Sequence, residues 1–142
     1  MIKKSISICC MTAALILMLL PGVRFVAWNY QHVFYYPFAI SYFNINNFNR
    51  FPNIIALLSI VVLVMLIART VDPINSKGDA RKLMLICMYI CISICIVASP
   101  LSWLIFAGAG GFPAITFLGV IVFLLHITTL ALQINFKRTS AV

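Results

Sequence analysis

Residues 53–69 read "NIIALLSIVVLVMLIAR", an aliphatic run broken by one serine and closed by an arginine. Strict polar alternation is missing and the run exceeds a buried strand, so the pattern is helical. Crossing a bilayer takes roughly 20 mostly apolar residues as a helix. Three further stretches read the same way, at about 5–23, 83–106 and 113–136. In lipid only a helix or a closed barrel satisfies every backbone group, and these unalternating runs predict helices.

Composition agrees. The chain is 64% hydrophobic and 8% charged, with a mean hydropathy of +1.14. A soluble domain carries about 25% charged residues, so this chain is too poor in charge to cover a water-facing surface. The expected fold is all-α, a polytopic four-transmembrane-helix bundle forming one domain over residues 1–142. An outer loop at 24–52 and a cytoplasmic loop at 70–82 complete it.

Basic residues set the orientation. Lys3, Lys4, Arg69, Lys77, Arg81, Lys82, Lys137 and Arg138 fall at the two termini and the second connection, which four spans place on one side. Only Arg24 and Arg50 fall on the other side, and a Lys/Arg excess marks the cytoplasmic face. Both termini are therefore expected in the cytoplasm, with the protein multi-pass in the cell membrane. The net charge of +8 is spread over membrane flanks and forms no basic helix face, which argues for anionic headgroups over nucleic acid. The opening "MIKKSISICCMTAALILMLLPGV" also has the shape of a secretory signal. Cleavage after Gly22 would put Leu20 at −3, and cleavage after Ala27 would put Phe25 there, so retention as a helix is expected.

Turn chemistry marks the connections. Asp72-Pro73 and Lys77-Gly78 punctuate the second one, and Asp79 is placed to cap the third helix. "AGAGGF" (107–112) predicts a short outer turn, with Pro113 in the first turn of the fourth helix. Pro100 sits inside the third span and predicts a kink.

The outer segment is unusually aromatic. Ten of the eighteen Phe, Trp and Tyr residues lie within 28–51, too many for an ordinary polar loop. Trp28 and Trp103 mark the outer interface, where such rings concentrate. Phe34, Phe38, Tyr42, Ile45 and Phe48 recur every three or four residues, with Ser41, Asn44 and Asn47 as a second stripe. That spacing predicts a short interfacial helix. Phe43-Asn44-Ile45-Asn46 alternates as a strand would, but a lone strand among headgroups has no pairing partner, so helix is preferred. The segment is read as a lid over the bundle in preference to a recognition surface. Ser41-Tyr42-Phe43, then Asn47-Phe48, Phe51-Pro52 and a long aliphatic helix, resembles small uncharacterised four-helix bacterial integral membrane proteins. The resemblance implies the fold class and no chemistry.

Candidate chemistry is thin. Cys9 and Cys10 fall in the first helix, and Cys87, Cys91 and Cys95 share one face of the third, near the depth of His126. Thiols with an imidazole suit a soft ion such as Cu(I). No C-x-x-C occurs, and free buried cysteine behaves as a small hydrophobe, so packing is preferred and no metal or cofactor is expected. His126, with Thr128, Thr129 and Gln133, is the polar cluster inside a span. It is read as interhelical glue ahead of a functional site. Both acids, Asp72 and Asp79, lie in the cytoplasmic loop, so no span carries a carboxylate for proton coupling or for acid–base catalysis. Ser99 and Ser102 lie nearer the outer face than His126, so no serine nucleophile is expected. Ser59, Ser93, Thr116, Thr128 and Gln133 form no clear pore-lining stripe. The function expected is a non-enzymatic accessory or interaction subunit, with a small oligomeric transporter or channel component as the alternative. Its expected partners are the lipid bilayer and another membrane protein or a second copy.

Overall fold

A computed structural model describes residues 2–20, 23–26, 37–43, 51–71, 79–110 and 116–139. The elements are helix α1 (Ile2–Leu19), strands β1 (Val23–Val26) and β2 (Pro37–Ile40), and helices α2 (Phe51–Val71), α3 (Asp79–Gly110) and α4 (Phe117–Thr139). The protein is all-α in its bulk, a bundle of four helices. Phe51–Thr70, Ala80–Leu104 and Phe117–Ile134 are long and apolar enough to cross a membrane, and Lys4–Leu19 is a shorter apolar helix.

Helices α1 and α2, α2 and α3, α3 and α4, and α4 and α1 are packed neighbours, which closes a ring. Ser7 and Tyr89 reach Gln133 at one end, while Met18, Ile55, Ala98 and Val122 cluster towards the other. Helices α1 and α3 therefore run opposite to α2 and α4. Each helix buries a seam with alternating steps of three and four: 7-11-14-18, 55-59-62-66-69, 88-92-95-99-102 and 119-122-126-129-133. That spacing is the one that lets neighbouring helices interdigitate at a shallow crossing angle.

What occupies the seams settles the solvent. Ser7, Ser59, Arg69, Ser99, Ser102, His126, Thr129 and Gln133 are buried, while Leu57, Val64, Leu83, Ile90, Val97, Leu104 and Leu124 point outward. A water-soluble bundle distributes these types the other way round. Apolar walls around a partly polar seam belong to a helical membrane protein, in which polar side chains join helices. Met11 and Met88 fill the seam between the polar levels, with Val62, Leu66 and Ile92 around them. Unbranched methionine suits such irregular gaps.

Over residues 37–43 the aromatic segment departs from the expected interfacial helix. Helix α1 ends at Leu19, short of residue 23, and Leu20 N–H closes the last turn on Leu17 O at 3.1 Å. Pro21 follows, and the residue before a proline is steered out of helical geometry. The chain then forms β1, "VRFV", which pairs antiparallel with β2, "PFAI", in the register Val23↔Ile40 to Val26↔Pro37. Phe38 is thus in a strand, and Tyr42 and Phe43 are in a turn. The strand weighed from sequence lay at 43–46, of which 44–46 fall outside the described residues; the strand that forms is 37–40, and its partner is 23–26. Proline at 37 also suits the end of a strand better than a helix interior. The rest of the expected helix, including Phe34, Ile45 and Phe48, lies outside the described residues, as does Trp28.

Two other boundaries move. Helix α3 starts at Asp79, as its capping chemistry suggests, but runs on to Gly110 through most of the expected glycine turn. Pro100 lies inside it, flanked by Ser99 Oγ donating to Cys95 O (2.9 Å) and Ser102 Oγ donating to Ser99 O (2.7 Å). Helix α4 starts at Phe117 because Thr116 caps it: the Gly119 N–H donates to Thr116 Oγ1 at 3.0 Å. Pro113 lies outside the described residues.

Candidate functional site

Three levels of polar side chains thread the bundle. At mid-depth, His126 of α4 is 0% exposed and meets Ser59 of α2, with Nε2 2.8 Å from Ser59 Oγ. Its Nδ1 lies 2.7 Å from the Val122 carbonyl, which can only accept, so Nδ1 carries a proton. Ser59 has one proton and two neighbouring acceptors, the Ile55 carbonyl at 2.6 Å and His126 Nε2. Cys95 of α3 bears on the competition. Its Sγ lies 3.7 Å from Ile55 O and 4.0 Å from Ser59 Oγ. Ser59 donates to Ile55 O at 2.6 Å or turns its one proton to a neutral imidazole, and in the second case the thiol is placed to serve Ile55. These contacts tie α2, α3 and α4 at one level.

Towards the end that carries the chain's basic connection, Arg69 of α2 is only 8% exposed and donates through Nη1 to Gln133 Oε1 at 2.8 Å. Gln133 Nε2 donates to Ser7 Oγ of α1 at 2.9 Å, and Tyr89 of α3 donates its hydroxyl to the Gln133 backbone carbonyl at 3.2 Å. One glutamine of α4 thereby joins all four helices. The amide suits this place because it donates and accepts at once and needs no counter-charge. Thr129 lies between the two levels and bonds back to Leu125 O at 2.8 Å, so it adds no interhelical tie.

At the other end the turn after β2 enters the bundle. Tyr42 is 3% exposed and packs with Met18, Ile55, Ala56, Ala98 and Val122. Its backbone N–H donates to Met18 O at 3.1 Å, and Asn53 Nδ2 donates to its carbonyl at 2.9 Å, which stitches the turn to α1 and α2. Burial pushes the Tyr42 phenol up to about 12. A Cβ built on Gly119 would lie 3.4 Å from the Tyr42 hydroxyl oxygen and 3.5 Å from Trp103 Nε1, so glycine lets the two rings close over the start of α4. Trp103 also meets Phe123 edge-on, with centroids 5.8 Å apart.

Of the residues singled out from sequence, Tyr42, Trp103 and His126 fall at buried or ring-packed positions between helices. Thr128 faces outward and bonds only to Leu124 O, at 2.9 Å. The cysteines do not gather: Cys9 is exposed, Cys10, Cys87 and Cys91 are half-buried, and Cys95 alone is buried. Among the described residues no group of three or more His, Cys, Asp or Glu side chains could hold a metal ion. Sequence reasoning took Ser59 for a scattered polar residue and Arg69 for a flanking charge, and passed over Ser7. The signal was present, since 55-59-62-66-69 and 7-11-14-18 are seam spacings that put these polar residues on the buried face. Compared with protein-family models, curated proteins and solved structures, the chain matches none.

Proposed function

We propose that this membrane protein is a non-enzymatic accessory or interaction subunit of the cell membrane, with all four helices crossing and both termini cytoplasmic. The observation that carries the reading is the self-contained polar seam. Ser59, Cys95 and His126 answer one another, as do Ser7, Arg69, Tyr89 and Gln133, and Met11, Val62, Met88 and Ile92 fill the seam between them. Polar groups engaged in this way hold helices in register and leave the apolar outer walls as the faces for partners. Helix α1, at 18 residues, spans roughly 27 Å, close to the ~30 Å of hydrocarbon, and lies alongside α2 and α4. The outer segment acts as a lid through Tyr42.

Ser59 and His126 stand at the distance of a nucleophile and its base, and this geometry bears on the enzymatic alternative. Both are fully buried, and Ser59 lies within α2, where the backbone N–H groups that would stabilise an oxyanion are engaged in the helix. That supports a structural bond. The alternative of a small oligomeric transporter or channel draws on the same imidazole at mid-depth.

Affinity purification in mild detergent, with quantification of what travels with the protein, tests the main reading. A stoichiometric membrane-protein partner is expected. Flux in liposomes holding the purified protein alone, abolished by His126→Leu, would establish the transporter instead.

A further inference from the structure

Three hydrogen-bonding groups converge on the first turn of α4, opposite Gly119. A Cβ built there would meet Thr116 Oγ1 at 2.9 Å, the Tyr42 hydroxyl at 3.4 Å and Trp103 Nε1 at 3.5 Å. Thr116 Oγ1 is already engaged as the cap, accepting from the Gly119 N–H at 3.0 Å. The other two differ. Tyr42 is 3% exposed, and its bonds to α1 and α2 run through its backbone. Its hydroxyl has no hydrogen-bond partner among the described residues, and neither has Trp103 Nε1. Buried Tyr and Trp usually find a partner for their polar tips. These two tips face the same small niche.

The chemistry of the niche selects what enters it. An indole N–H can only donate. Burial pushes the Tyr42 phenol up to about 12, so it keeps the proton it would give. The helix end adds to this. The Gly119 and Val120 N–H groups are taken by Thr116 Oγ1 and Thr116 O, while those of Phe117 and Leu118 stand ahead of any helical carbonyl. The start of α4 also carries the partial positive charge of a helix N-terminus, which favours anions. The chain's two acids, Asp72 and Asp79, follow α2 and open α3 at the other end of the bundle. A cation is therefore excluded. A water accepting from both donors would still hold protons of its own, and the helix end offers donors to meet them. Two donors set around one point suit a single-atom acceptor, and a phosphate or a lipid ester is too large to enter between the rings and the glycine.

We propose that this end of the bundle binds a small monovalent anion of the chloride type, held by the Tyr42 hydroxyl and the Trp103 indole N–H at the N-terminus of α4. Glycine at 119 leaves the space that a side chain would fill. The site lies within one chain and requires neither a protein partner nor a particular orientation in the membrane.

The test uses the full chain purified in neutral detergent at neutral pH, with thermal unfolding followed as chloride replaces gluconate at constant ionic strength. Chloride is expected to raise the unfolding temperature saturably. Tyr42→Phe keeps the ring and removes the hydroxyl, and it should move the chloride response about tenfold to higher concentration. Trp103→Phe removes the other donor and should act in the same direction. Thr128→Ala, on the outward face of α4, should leave the response unchanged. Equal unfolding temperatures in chloride and gluconate would overturn the proposal. Sulfate matching chloride, or an unchanged chloride response in Tyr42→Phe, would overturn it too. Crystals of the unaltered chain grown in bromide give a second measurement. An anomalous peak is expected between Tyr42 Oη and Trp103 Nε1, and a water there without anomalous signal would overturn the assignment.

Discussion

Replacing Ser59 by alanine tests whether the mid-depth contacts hold the bundle together. The change removes a single oxygen, yet that oxygen is the bond from α2 to His126 Nε2. Ile55 O keeps its helical N–H and the Cys95 thiol, so the loss falls on a fully buried ring nitrogen. Leaving such a group unsatisfied costs about 1–3 kcal/mol in a protein interior. Interhelical hydrogen bonds measured in membranes average about 0.6 kcal/mol and reach about 1.7, because the unfolded helices also find partners. The expected destabilisation is therefore about 1–1.5 kcal/mol. Ser99→Ala is the matched control. Ser99 is also buried, but its Oγ bonds only within its own helix, so a loss below about 0.5 kcal/mol is expected. Reversible unfolding in bicelles gives the free energies. The double change Ser59→Ala with His126→Leu should be less damaging than the sum of its parts by at least about 0.5 kcal/mol. Equal losses for Ser59→Ala and Ser99→Ala, with a coupling near zero, would refute the reasoning.

Gly119→Val should destabilise by about 1–3 kcal/mol in the same assay, since even a Cβ there would lie 2.9 Å from the capping Thr116 Oγ1 and close to Tyr42 and Trp103. A neutral or stabilising effect would show that the rings do not close on α4. One of the five tyrosines should ionise near pH 12, by ultraviolet absorbance titration, and Tyr42→Phe should remove it. Because the folded value lies above the ordinary 10, the contribution of this phenol is intact below pH 10 and is lost as pH rises towards 12. Ionisation of all five in the ordinary range would place Tyr42 in water. Cys87, Cys91 and Cys95 replaced together by alanine should leave a folded protein of modestly lower stability, with Cys95→Ala alone accounting for most of the loss, because only Cys95 is buried. Stoichiometric copper or iron in the wild type, absent from the triple variant, would contradict a packing role.

The long apolar runs were legible because a bilayer imposes one periodicity over many residues, and 53–69 matches α2 to within two residues at each end. The strand pair at 23–26 and 37–40 was not. Its two strands are four residues each and pair across an interval, and a regular aromatic spacing at 34–48 suggested a helix where, over 37–40, a strand paired with 23–26 forms. His126 stood out as a lone ionisable group in a span. Its partner did not, because Ser59 and Cys95 come from two other helices and only the seam spacing joins them. Arg69 read as a flanking charge because it lies near a helix end, although its place on the seam carries it inside.

The most direct test of four crossing helices with a shared terminal face is thiol accessibility in intact cells, on a background lacking the five native cysteines. Single cysteines at Ser5, Ser41 and Ser140 are exposed to a membrane-impermeant reagent. The account predicts labelling at Ser41 and protection at Ser5 and Ser140 until the membrane is opened. Labelling of Ser5 and Ser41 together, with Ser140 protected, would leave α1 on the outer side and contradict it, as would labelling of Ser140 with Ser41 protected.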